Sequence, residues 1–160
     1  MEFANEPTNF LTSDLPPDEK LTLETAKILD ELLLSLKLER AVIFVKTNGA
    51  WRVASAHEVE TNDFWNTAPL SLSVVQSAAL EGKSVHLVDA GSSDKFGDRM
   101  SVLLTGIRSV ACAPCKSETG EVIALLYADN RIEKGAFSPE DIKAIEGLAQ
   151  ELGRRISALQ

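Results

Sequence analysis

Cysteine is scarce in this chain: Cys112 and Cys115, three residues apart, are the only two among 160 residues. A secreted disulfide framework needs a larger set of spaced cysteines, so that class is excluded. Long apolar runs are missing as well. No stretch approaches the ~20 residues needed to span a bilayer. The N-terminus has no basic region leading into an apolar run, so no signal peptide is read. Positive charge is in deficit: 16 Lys and Arg against 24 Asp and Glu give a formal net charge of -8. The basic residues are scattered without a cluster, which argues against direct binding to nucleic acid or to an anionic membrane. The expected setting is cytoplasmic. The two histidines, His57 and His86, lack the spacing of a zinc site, so no metal is expected. There is no glycine-rich phosphate loop and no G-x-S-x-G nucleophile turn.

What remains is an ordinary globular composition, 44% hydrophobic and 25% charged, long enough for one compact domain. Residues 1–17 are polar, without period, and end in Pro16-Pro17, which predicts a flexible tail or linker ahead of a domain over 18–160. Asp14 or the proline pair is expected to start a helix running from about Asp18 to Leu38. Ala26, Leu29, Leu33 and Leu36 recur along it at 3-4-3 spacing. Ile28, Leu32 and Leu34 widen its apolar surface, leaving one side for a sheet and another for a partner helix.

Ala41 to Val45 is an unbroken apolar run, as expected of a central strand buried on both faces. Asn48-Gly49 then signals a tight hairpin into a second strand from Trp51 to Ala56. Ser73 and Gln76 have capping-box spacing and open a short helix that stops near Gly82. Strands are read at 84–88, 107–115 and 122–127, with a long loop at 89–99 and a short helix at 100–104. Ser138-Pro139-Glu140-Asp141 supplies an N-cap, a proline at the first helical position and first-turn acids. In the helix that follows, Ile142, Ile145, Ala149, Leu152, Ile156 and Leu159 recur in heptad alternation. Hairpins mean antiparallel neighbours. The fold class is therefore α+β, an antiparallel sheet of about six strands with helices on its faces.

Several blocks, in order, resemble a GAF domain over roughly residues 20–157. They are Glu39 to Val45, Ser71 to Val75, Gly82 to Val85, Ser101 to Leu103, Gly106 to Val110 with Pro114, Gly120 to Ile123, Leu126 to Arg131, and Phe137 to Asp141. The nearest flavour is the GAF domains of bacterial signalling proteins that feed cyclases, kinases or transcription activators. The resemblance implies a non-enzymatic regulatory domain. It also implies a homodimer whose terminal helices connect to an output domain or partner signalling protein. The Ile142 to Leu159 seam is expected to serve in that dimer.

In a GAF-like arrangement, loops at 57–70 and 89–99 roof one sheet face. Phe64, Trp65, Asp89, Phe96, Arg99 and Ser101 would then wall a small-ligand pocket, with Val110 and Cys112 as its floor. No resident cofactor is expected; the ligand would be non-covalent, with nucleotides among the classes to consider. Asp94-Lys95-Phe96-Gly97-Asp98 departs from the signature of cyclic-nucleotide-binding relatives at its first residue, so that site is not carried over. No Cys-His pair exists to anchor a bilin. Relatives that reduce free methionine sulfoxide use several cysteines around a pocket, which two strand cysteines match poorly.

Cys112-Ala113-Pro114-Cys115 looks like a redox dithiol, but on a strand residues i and i+3 face opposite sides, roughly 10 Å apart at ~3.3 Å per residue. Asp89, Asp94 and Asp98 lack the alternate-position spacing of a calcium loop. Three readings therefore stand. The favoured one is a ligand-binding regulatory domain. The second is a dimerisation and interaction module whose pocket is filled by its own side chains. The third is a thiol-based sensor.

Overall fold

The computed structural model describes residues 18–59, 72–87, 109–131 and 136–159. They form, in chain order, α1 (Glu19–Ser35), β1 (Arg40–Thr47), β2 (Ala50–His57), α2 (Leu72–Glu81), β3 (Val85–Leu87), β4 (Ser109–Lys116), β5 (Val122–Asn130) and α3 (Pro139–Ala158). The five strands make one sheet in the order β2-β1-β5-β4-β3, and every neighbouring pair is antiparallel. The fold class is thus the α+β arrangement read from the hairpins.

Local chemistry sets the boundaries. Asp18, not Asp14 or the prolines, caps α1, its carboxylate accepting from the Lys20 N–H at 2.7 Å. The helix stops at Ser35 because Leu36 turns extended, three residues short of the expected end. Asn48 and Gly49 both take positive φ, 53° and 79°, as a two-residue hairpin twisted to match its strands requires. At α3, Ser138 Oγ accepts from Asp141 N–H while Asp141 accepts from Ser138 N–H, a full capping box with Pro139 in the first turn. The capping box expected at Ser73 and Gln76 does not form. Helix α2 already begins at Leu72, so Ser73 lies inside it, and the Gln76 amide bonds nothing.

β1 and β5 are central and buried on both faces, so the sheet separates two cores. One packs Ala41, Ile43, Val45, Ala113, Ala124 and Leu126 beneath α1 and α3. The other packs Val42, Phe44, Val110, Cys112, Leu125 and Tyr127 beneath α2. On α1 the buried stripe is Thr25, Ile28, Leu29 and Leu32, one step round from the expected Ala26 and Leu33, which are only partly buried. Leu34 stands 88% exposed and Leu23 55%.

The seam on α3 is occupied within the chain. Ile145, Ala149, Leu152 and Ile156 are buried in the α1/α3 core, Ile142 packs against it, and only Leu159 is largely outside. A one-sided helix on a sheet and a coiled-coil strand share this spacing, so the pattern alone does not choose between them. Full burial of a side chain such as Leu152 contributes about 1.5–3 kcal/mol. Charged replacements at Leu152 or Ile156 therefore report on folding rather than on association.

The helix also comes unusually close to the sheet at one point. A Cβ built on Gly153 would overlap the carbonyl oxygen of Lys116 and lie 3.0 Å from its nitrogen. Among the described residues, no helix is long and apolar enough to cross a membrane.

Candidate functional site

Strand pairing brings the expected floor residues into two rows across the α2 side of the sheet. Arg40 on β1 lies opposite Asp129 on β5, which lies opposite Val110 on β4, which lies opposite Leu87 on β3. One step along, Val42, Tyr127, Cys112 and Val85 line up in the same way. Val110 and Cys112 are both fully buried and flank Asp129 and Tyr127. The other expected pocket residues, Phe64, Trp65, Asp89, Phe96, Arg99 and Ser101, lie outside the described residues.

The first row ends in a polar network that the sequence reading missed. Arg40 donates from Nε to Asp129 Oδ1 and from Nη2 to Oδ2, both at 2.7 Å, and the Tyr127 hydroxyl donates to Oδ2 at 2.5 Å. The two charged side chains are 1% and 0% exposed. Burial pushes the Asp129 carboxyl up, against the pull of Arg40 and Tyr127. Burial also opposes the Arg40 charge, yet Asp129 raises the guanidinium above its ordinary value. These two directions favour opposite charge states of the pair. The geometry decides for the ion pair: a guanidinium does not deprotonate in proteins, and all three hydrogen bonds use the carboxylate as acceptor.

A second ion pair sits beside it at the same end of β1 and β5. Glu39 accepts from the Arg131 backbone N–H at 2.7 Å and from its Nη2 at 2.9 Å. Burial alone would raise the Glu39 carboxyl, but Arg131 holds it below its usual value.

The signal for the buried network was present but unreadable. Arg40 and Asp129 are charges at the ends of two apolar runs, and only the register of β1 against β5 makes them partners.

The thiols behave as the strand argument predicts. Cys112 belongs to the α2-side core and Cys115 to the α1/α3 core, so they face opposite sides. Both are free and buried, and burial pushes both thiols far up. A protonated, buried thiol is a poor nucleophile and a poor metal ligand. Of the histidines, His86 lies edge-on to Phe137 at 6.4 Å between ring centroids, and burial lowers its pKa while Glu146 opposes that shift. Among the described residues no group of three or more His, Cys, Asp or Glu could hold a metal.

Among the described residues, two open grooves occur elsewhere. One, near 520 Å³, lies at the hairpin ends beside Lys46, Asn48 and Ser117. The other, near 600 Å³, runs between β4 and α3 past Pro114, Lys116, Gln150 and Arg154. Neither contains a residue of the expected pocket.

Solved structures with this architecture are numerous. A GAF domain/HD domain protein from Geobacter sulfurreducens aligns with a TM-score of 0.67 and 18% identity, covering 88% of this chain and 94% of that one. GAF3 from Slr1393 of Synechocystis, in its photoproduct state, gives 0.67 and 18%, covering 88% and 95%. A type II free methionine-R-sulfoxide reductase from Thermoplasma acidophilum gives 0.64 and 17%, covering 88% and 96%. At such identities these likenesses concern the fold, and a fold hosts many functions. The sequence itself matches the GAF domain family over residues 23–156, and the chain belongs to that family.

Proposed function

We propose that the chain is a regulatory domain that binds a small molecule on the α2 side of its sheet and relays the change through the helices on the other side. The observation that carries this reading is the difference between the two faces of one sheet. Two long helices, α1 and α3, seal one face. Among the described residues the other is met only by the ten-residue α2, and it carries the Arg40–Asp129–Tyr127 network beside Val110 and Cys112. Ligand sites are mostly apolar with a few fixed polar groups, and this face has that make-up. Phe64, Trp65, Asp89, Phe96, Arg99 and Ser101 are the proposed remainder of the wall. One observation favours the interaction-module reading instead: Val110 and Cys112 are fully covered, as in a filled pocket. Catalysis and thiol sensing are not part of the proposal, because the two thiols lie on opposite faces and burial pushes both up.

The relay surface we propose is α1. Leu23 and Leu34 are eleven residues apart, three helical turns, and so share one exposed side. A homodimer through this side leaves the α3 seam to the core and places the terminal helices against an output domain or partner protein.

A thermal-shift screen of nucleotides and small acids on wild type and Arg99→Ala tests the pocket. A ligand at ~100 times its dissociation constant adds ~2.7 kcal/mol, and the shift should shrink in the variant. If nothing shifts the wild type, the interaction module is the better account. Sedimentation of wild type and Leu34→Glu tests the relay surface. A dimer should become a folded monomer, and a monomeric wild type at tens of micromolar sinks the idea.

A further inference from the structure

Ser73 through Ala78 are buried without a break, nearly two turns of α2, so the helix is enclosed all round there. Val74, Val75 and Ala78 account for the side that meets the sheet. At 100° per residue, Gln76 projects from a different side. It is 1% exposed, yet neither its amide nitrogen nor its amide oxygen has a hydrogen-bond partner. Next to it Ser77, 5% exposed, has an unpartnered hydroxyl. Buried polar side chains in folded proteins are bonded as a rule, and an apolar residue of similar shape costs a fold nothing where no bond is made. Three polar atoms on two adjacent residues are thus left without a protein partner.

We propose that Gln76, with Ser77 beside it, recognises a small neutral molecule through an amide-like edge, a hydrogen-bond donor next to an acceptor, as in a lactam, a carboxamide or a nucleobase. A glutamine side chain presents an NH₂ and an oxygen in one plane, and a complementary edge engages both at once. A carboxylate would satisfy the NH₂ and set its charge against the amide oxygen; a cation would do the reverse. The Ser77 hydroxyl, donor and acceptor together, serves a third polar atom. This inference rests on the proposed binding of a small molecule and adds the chemistry by which the side of α2 turned away from the Val74, Val75 and Ala78 row selects it.

The test is calorimetric and thermal-shift titration of the full chain with nicotinamide, uracil and adenine, and with benzoate as a carboxylate counterpart. It compares wild type with Gln76→Met, which keeps the length of the side chain and removes the amide. At least one neutral probe should bind wild type while benzoate does not. Gln76→Met should bind that probe at least about tenfold more weakly, and without ligand it should melt at or above the wild-type temperature. Undiminished binding by Gln76→Met overturns the proposal, as does the absence of neutral-probe binding to wild type. A ligand-free Gln76→Met that melts below wild type also overturns it, because the amide would then be serving the fold, directly or through a buried water. If other compounds still shift wild type and lose that shift in Arg99→Ala, the pocket stands and only the amide-edge inference fails.

Discussion

Two glycines on α3 allow a controlled experiment on the closest approach in the fold. Gly147 and Gly153 both sit inside the helix, where replacing Gly by Ala gains about 1 kcal/mol of helix propensity. A Cβ at Gly147 meets nothing within 4 Å, so Gly147→Ala should realise most of that gain. At Gly153 the same methyl would overlap the Lys116 carbonyl. That obstacle is backbone, held in β4, and cannot rotate away as a side chain end could. The helix must retreat by roughly 1 Å to restore a normal contact. Leu152 and Ile156, both buried in the core, would be carried with it. Overpacking of this kind costs ~1–3 kcal/mol, so Gly153→Ala should lose up to ~2 kcal/mol net of its propensity gain. The propensity gain is common to both, so the two variants should differ by the overpacking cost, ~1–3 kcal/mol, on the order of 5–10 °C in melting temperature for a domain of this size. Urea unfolding followed by circular dichroism and by tryptophan fluorescence, with the buried Trp51 as one reporter, measures the difference. If Gly153→Ala is as stable as Gly147→Ala, the close approach does not constrain this helix and the reasoning is wrong.

The same assay should find Asp129→Asn destabilised by ~3–5 kcal/mol, because it leaves a buried guanidinium without its counter-charge; a loss below 1 kcal/mol would mean the pair is dispensable. His86 supplies a pH dependence. Burial lowers its pKa below the ordinary 6.5, so between those two values the unfolded chain binds more protons than the folded one. Its contribution is fully present above pH 6.5 and is lost as pH falls through the folded value. His86→Gln should flatten the stability profile in that window, and an unchanged slope would assign the acid loss to other groups.

Much of the fold was legible because its signals are local. Ser138, Pro139 and Asp141 form their cap from four consecutive residues, and Asn48-Gly49 needs nothing beyond its own positive φ angles. The opposite facing of Cys112 and Cys115 follows from strand alternation alone. The ambiguous readings lie where two arrangements share one local pattern. Heptad spacing on α3 fits a sheet as well as a second helix. Ser73 and Gln76 have the spacing of a cap but sit two residues too far inside α2 to form one. The Arg40–Asp129 pair spans 89 residues of sequence and exists only through the pairing of β1 with β5. For the pocket, the sequence indicated Val110 and Cys112 as floor. It gave no reason to look at Tyr127, Asp129 or Gln76, whose interest comes from burial.

That pairing has a consequence for how the sheet assembles. The apolar stretches of β1 and β5 are buried on both faces, so alternation carries no instruction about which residue belongs opposite which. Sliding one strand past the other by a single residue would still bury an apolar row against an apolar row. It would also turn Arg40 and Asp129 to opposite sides of the sheet, each stripped of water and facing hydrocarbon. The two charges thus discriminate among alignments that the greasy residues treat alike, and the alignment they select is the one that sets Val110 and Cys112 beside Asp129 and Tyr127.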